Sequence, residues 1–328
     1  MGLTIKDVAK RAEVSVTTVS RVLNNRGSIS EKTRKKVYAA MEELNYHPNQ
    51  LAVNLFKKRT MLVGLIVPDV SHTFYAQEAK YIEEYLYARD YKLILCNAGE
   101  SQQREKEYLT MLQRNKVDGI IIGSHTLNLE EYNKVRLPVV ALDRYLGKEI
   151  PTISADHQQG GRLAAEELLR KGCKKVVQII GSSAVPTPSN ERYSVFRQIM
   201  EENNVVCLDY ELPLNSFLFR EYIEVVQNIL INEPDIDGLF AVDNVACAAC
   251  KVAATLGINV PDQLKIVGYD GTEISIMSNL SLSTVMQPIR KIAWSAVDTL
   301  LSMIEEDDTR AQGMHVQLPV TFIKRETT

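Results

Sequence analysis

The chain has 328 residues, enough for two or three domains that each enclose a core, and its 45% hydrophobic and 24% charged content suits a soluble globular protein. It contains no run of 18 or more apolar residues and opens on a polar helix start where an export signal needs an apolar stretch, so a helical membrane span is excluded and a cytoplasmic location is expected. The net charge of −3 hides an asymmetry: residues 1–60 carry twelve Lys and Arg against five Asp and Glu, a net +7 that leaves −10 for the rest, so the N-terminal end is the one suited to a polyanion.

Thr4 followed three residues later by Asp7 is a capping-box start, and Ile5, Val8, Ala9 and Ala12 recur at helical spacing behind it. Ala12-Glu13-Val14-Ser15 is a short turn whose Ser caps a second helix. That helix buries Val19, Val22 and Leu23 and leaves Val16, Thr17, Ser20 and Arg21 outward, small and polar side chains plus one Arg, suited to reading base edges in a major groove. A polar loop over 24–29 follows. Ser30 then caps a third helix with Val37, Ala40, Met41 and Leu44 on one face, and Pro48 ends it. Three such stripes can enclose one small core over residues 1–47. Residues 48–60 are a linker able to form two helical turns, too short to be stable alone in water.

From residue 61 the pattern alternates between apolar strands and helices. Strands are expected at 61–67, 91–96, 118–122 and 138–142, with helices at 75–89 and 102–114 between them. A second run places helices at 158–170, 191–202, 219–231 and 245–256 and strands at 175–180, 238–242 and 265–269. A strand at 282–286, a helix at 288–305 and a strand at 315–323 cross back between the two runs. Continuous apolar strands between helices indicate parallel sheets covered on both faces. The expected fold class is α/β: a small all-α helix-turn-helix headpiece followed by a bilobed core of two doubly wound parallel-sheet subdomains, 61–156 with 288–318 and 157–287 with 319–328.

In open α/β sheets, ligands sit beyond the carboxyl ends of strands. That rule selects Asp69, Ser124 and His125, Asp143 and Arg144, Asp243, Asp270 and Gln287. Together with Arg192 and the aromatic Phe74, these carboxylates suit a polyhydroxylated ligand: carboxylates accept from vicinal hydroxyls, Arg donates through its fork, and an aromatic face covers the apolar side of a ring. A lone Asp there is equally able to cap the next helix. No enzyme signature accompanies them. The chain lacks a Walker-type phosphate loop, a Gly-x-Ser-x-Gly turn and histidines at metal-ligand spacing, and His125 and His157 have no evident partner. No catalytic residue, metal or cofactor is expected. The odd, scattered cysteines fit reduced thiols, and Cys247-Ala-Ala-Cys250 lies in an Ala-rich helical pattern without a second ligand pair.

Residues 4–9 (Thr-Ile-Lys-Asp-Val-Ala), 14–24 (Val-Ser-Val-Thr-Thr-Val-Ser-Arg-Val-Leu-Asn), 32–37 and 44–49 resemble, in order and spacing, the headpiece of the lactose-repressor/galactose-repressor family. The resemblance is specific over about sixty residues and more diffuse beyond. It implies a homodimeric repressor that binds a pseudo-palindromic operator through Thr4, Ser15, Val16, Thr17, Thr18, Ser20, Arg21 and Asn24. It also implies a hinge helix that orders on DNA, with Leu55 wedged in the minor groove and Lys57 nearby. It further implies a periplasmic-binding-protein-like core. Asp143, Arg192, Asp270 and Gln287 stand in its effector-contacting motifs, and the effector set becomes Asp69, Phe74, Asp143, Arg192, Asp243, Asp270 and Gln287, for a sugar or sugar phosphate. Where relatives carry a small polar residue before the Asp at 243, this chain has Val242, so contact is expected from Asp243 and not from 242. The segments 123–126, 142–146 and 154–165 look like those of sucrose-operon repressors of Gram-positive bacteria. Two alternatives share parts of this pattern. A transport-linked sugar-binding protein has no use for a basic headpiece, and a global regulator with a phosphorylated carrier protein as co-repressor has Arg where this chain has Asp298.

Overall fold

The structure is a computed structural model that describes residues 3–24, 26–46, 59–99, 101–124, 129–132, 134–147, 149–183, 187–214, 216–277, 279–306 and 313–328. The chain divides into two compact units, Met1–Met61 and Leu62–Thr328. Leu55 and Lys57, with most of the linker, lie outside the described residues, as does His125.

In the first unit, α1 (Ile5–Arg11), α2 (Val16–Leu23) and α3 (Glu31–Glu43) enclose a core of Val8, Ala9, Ala12, Val19, Val22, Val37 and Ala40. Each start is built locally. The Asp7 carboxylate accepts from the Thr4 amide at 2.8 Å and the Thr4 hydroxyl at 2.7 Å, while Ser15 and Ser30 accept from the amides of Thr18 and Thr33 at 3.0 and 3.2 Å. These contacts satisfy helix-end donors that have no intrahelical partner. Glu13, at φ 54°, makes the turn between α1 and α2.

The second unit holds two six-stranded sheets. The first runs β11 (His315–Leu318), β5 (Thr152–Ala155), β4 (Val139–Leu142), β3 (Gly119–Ile122), β1 (Leu62–Val67), β2 (Lys92–Asn97), all parallel. The second runs β12 (Thr321–Ile323), β10 (Ser283–Met286), β9 (Lys265–Asp270), β8 (Gly238–Phe240), β6 (Lys175–Ile180), β7 (Val206–Glu211), parallel except for β12 against β10. The apolar β1, β3 and β4 are buried throughout apart from a partly exposed Leu62.

Three strand readings need correction. The run at 315–323 is two strands in two sheets, because Pro319 has no amide for a ladder and Val320 turns its N–H to Gln159 Oε1 at 2.9 Å. β5 went unread because its polar residues hide it. Thr152 Oγ1 donates to Arg144 O at 3.0 Å and Ser154 Oγ bonds His315 Nε2 at 3.0 Å, so these polar groups are buried with partners. β7 is an edge strand with Cys, Asp, Tyr and Glu on half-open faces, which breaks the apolar signal.

Glycines bring one helix pair into register with the sheet behind it. A Cβ on Gly161 in the helix His157–Arg170 collides with the backbone carbonyl of Arg192 in the helix Glu191–Glu202, and one on Gly160 comes within 2.6 Å of the Tyr269 ring. Close approach of these two elements therefore depends on two adjacent residues without side chains.

Candidate functional site

Two surfaces carry ligand chemistry. On α2, Val16, Thr17 and Arg21 are exposed and Ser20 is half-buried, which leaves the outward face free of packing duty. Thr4, Ser15, Thr18 and Asn24 are engaged locally: Thr4 and Ser15 cap helices, the Thr18 hydroxyl meets that of Ser15 at 2.8 Å, and Asn24 Nδ2 donates to Ser20 O at 2.8 Å. These four side chains hold the helix ends, while Val16, Thr17 and Arg21 have no packing role on this face. Lys6, Lys10, Lys32 and Lys35 of the same unit are exposed as well.

The second surface is a cavity between the strand ends of the two sheets, lined by Phe74, Asp143, Arg192, Asp270 and Gln287 from the expected set. Asp143 follows β4 at φ 50° and its Oδ1 lies 2.7 Å from His157 Nε2, whose Nδ1 lies 2.8 Å from the Tyr269 hydroxyl. His157, fully buried, thus has two partners that sequence did not reveal. Tyr269 in turn lies 4.3 Å from the Arg192 guanidinium, which donates to the Tyr193 hydroxyl at 2.9 Å. Arg192 is buried and its Nε has no hydrogen-bond partner among the described residues. Asp270, at φ 111°, accepts from Gln287 Nε2 at 2.8 Å, and the register of β10 on β9 sets the two side by side. Two acidic residues are therefore held at positive φ, a conformation that costs energy and is kept where the surroundings over-determine it. Burial raises Asp270 to about 7 against the opposing pull of Arg192 and Gln287.

Two members of the expected set do not line this cavity. Asp69 Oδ1 accepts from the amide and hydroxyl of Ser71, each at 2.8 Å, which closes a local turn. Asp243 is fully buried and accepts from the Thr272 amide at 2.7 Å, the Thr272 hydroxyl at 3.2 Å and the Thr284 hydroxyl at 2.6 Å. Val242 lines the cavity instead, since it is the extended residue before the helix Asp243–Leu256, and the first helical residue turns its side chain inward. The side chain that lines the cavity is thus the one at 242, where contact was expected from Asp243. Arg144 also points away, to Ser124 O at 2.6 Å, the Tyr132 hydroxyl at 3.1 Å and Glu105 at 3.5 Å in the first lobe's interior.

Sequence reasoning missed His72, Tyr75, Glu78, Asn190, Tyr193, Phe217 and Tyr222. His72, Tyr75 and Phe217 form an aromatic cluster with ring centroids 5.4–5.9 Å apart, and it brings the loop before the helix Phe219–Asn232 against the helix Thr73–Tyr87. Burial lowers His72 to about 4 and keeps it neutral. One signal was available for Glu78: it shares the four-residue stripe Phe74, Glu78, Ile82, Leu86 with buried apolar residues.

A basic helix-turn-helix unit joined to a two-lobed core with a polar, aromatic-lined cleft defines a ligand-responsive DNA-binding regulator. Residues 4–49 match the model of bacterial regulatory proteins of the lacI family, and residues 165–328 match that of the periplasmic binding protein-like domain. The chain is 41% identical to the sucrose operon repressor of Streptococcus mutans over 98% of both chains. It is 38% identical to the ribose operon repressor of Halalkalibacterium halodurans over 99% of this chain and 97% of that one. Its structure superposes on the lac repressor dimer bound to operator and the anti-inducer ONPF with a TM-score of 0.88, at 26% identity, covering 100% of this chain and 99% of the other. The chain belongs to the LacI family of bacterial transcriptional repressors.

Proposed function

We propose that this repressor governs a sucrose-utilisation operon and that its effector is a neutral sugar, or a sugar with at most one phosphate, bound between the core lobes. The observation that carries the reading is the cleft's donor and acceptor set. Asp143 and Asp270 accept, Arg192 and Gln287 donate, and Phe74 and Tyr75 supply apolar faces, the combination a polyhydroxylated ring requires. Sucrose is favoured among sugars by the 41% identity to the Streptococcus mutans repressor. Two protomers place two copies of α2 on two operator half-sites, and effector binding shifts the equilibrium between lobe arrangements that differ in DNA affinity. The helix Ile289–Glu306 bears Asp298, 3.6 Å from Arg89, an acidic residue where a regulator with a phosphorylated carrier protein as co-repressor has Arg. Thermal stabilisation against sucrose, fructose, ribose and their monophosphates tests the reading. Sucrose, fructose or a monophosphate of either should raise Tm. A response to ribose alone redirects the assignment to a ribose operon.

A further inference from the structure

The cleft contains one carboxyl that the sugar reading above does not use. Glu78 projects from the helix Thr73–Tyr87 into the cavity, is only 2% exposed, and its Oε2 has no hydrogen-bond partner among the described residues. The other charged or titratable groups lining the cavity include Tyr75 and His72 at the start of the same helix, Asp143 after β4, Arg192 and Tyr193 on the helix Glu191–Glu202, and Asp270 at the end of β9. Tyr222, on the helix Phe219–Asn232, completes the wall. Among the described residues, the charges acting most strongly on Glu78 are the two acids Asp143 and Asp270, while Arg192 lies against Tyr193 and Tyr269.

We propose that Glu78 is a recognition residue for the effector, its carboxylic acid donating a hydrogen bond to a sugar hydroxyl and accepting one from the next. The inference rests on the sugar reading of the cleft and adds to it a residue able to give a proton as well as to take one. Asp143 faces His157 and serves as an acceptor, so a hydroxyl placed between it and Glu78 calls for a group that gives a proton as well as taking one. Burial, with Asp143 and Asp270 adding repulsion, raises Glu78 to about 8, so the neutral acid prevails below that pH. A carboxyl left buried with an unmet oxygen is costly to the free protein, and a ligand hydroxyl removes that cost on binding.

The test is calorimetric titration of the full-length dimer with the sugar that stabilises it most in the thermal panel, from pH 6 to 9. Wild type, Glu78→Gln and Glu78→Leu are compared. Asp270 titrates in the same cleft near 7, so the assignment rests on the variants and not on the wild-type profile. Wild-type affinity should fall by up to about tenfold per unit above pH 8. Glu78→Leu should bind at least about fivefold more weakly at pH 7. Glu78→Gln, whose amide both donates and accepts, should recover most of that loss and remove the part of the pH dependence above 8. Stability gives a second readout. A carboxyl with a raised folded-state pKa loses stability as pH climbs from its unfolded value through about 8, so Glu78→Gln should gain Tm over wild type, and gain more at pH 9 than at pH 5. If wild type binds the sugar while both variants match its affinity and pH profile, the Glu78 inference is overturned and the sugar reading stands. If no sugar binds wild type at any pH, both fall.

Discussion

The headpiece and the cleft both offer polar side chains to a ligand, yet they prepare them in opposite ways. In the headpiece, polar groups at the helix starts are satisfied by neighbours three residues away, as Thr4 is with Asp7 and Ser15 with Thr18, and Val16, Thr17 and Arg21 stand in the open. In the cleft, Asp143 is held by His157 from the helix beyond β5 and His157 by Tyr269, 112 residues further on, while Arg192, Glu78 and Gln287 each keep a buried polar atom without a partner among the described residues. A polyanion supplies its own strong field, so open cations suffice for it. A small neutral sugar has no field, so the protein must pre-position buried groups and carry their desolvation cost.

The contrast is broken most directly by salt. Operator affinity should fall steeply with salt, with a log–log slope of about −0.9 per neutralised phosphate, and roughly 10³–10⁵-fold between 50 and 200 mM if the dimer makes about six to ten phosphate contacts. Sugar affinity measured in the same buffers should barely move. A flat operator profile would remove the polyanion reading of the basic headpiece. Next in size is Gly161→Ala, which forces a methyl onto the Arg192 carbonyl. We expect a loss of roughly 1–3 kcal/mol of core stability, seen as a lower Tm for the core transition, together with weaker sugar binding because Arg192 moves. Normal sugar affinity in this variant would show that Arg192 is not positioned by the helix contact. The most local effect is that of Arg21→Ala. It should cost roughly 1–3 kcal/mol for each base that Arg21 reads and relax preference at one operator position, with core Tm and sugar affinity unchanged, as read by binding to an operator library. Equal weakening on every sequence would reassign Arg21 to phosphate contact.

Legibility in the sequence followed the range of the forces involved. Thr4-Asp7, Ser15 and Ser30 mark helix starts because capping acts over three residues, and apolar runs such as Leu62–Val67 mark strands that are buried on both faces. The strand-end rule located Asp143, Asp270 and Gln287 because parallel topology decides where a chain emerges. The same rule selected Asp69, Arg144 and Asp243, which the fold turns elsewhere, because it places a Cα and not a side chain.

What the sequence determined by itself is therefore the headpiece, the alternation of strands and helices, and the kinship with LacI repressors, all of which rest on residues near one another in the chain. The tertiary structure alone decided that Val242 and not Asp243 lines the cavity, that Pro319 divides one apparent strand between two sheets, and that Glu78 Oε2 is buried with no hydrogen-bond partner among the described residues. Each of those outcomes depends on groups brought together from distant segments: Thr272 and Thr284 on Asp243, Gln159 on Val320, Asp143 and Asp270 on Glu78. Burial and hydrogen-bond competition settle such choices only after the sheets have formed, because a polar side chain turns toward whichever partner relieves its desolvation.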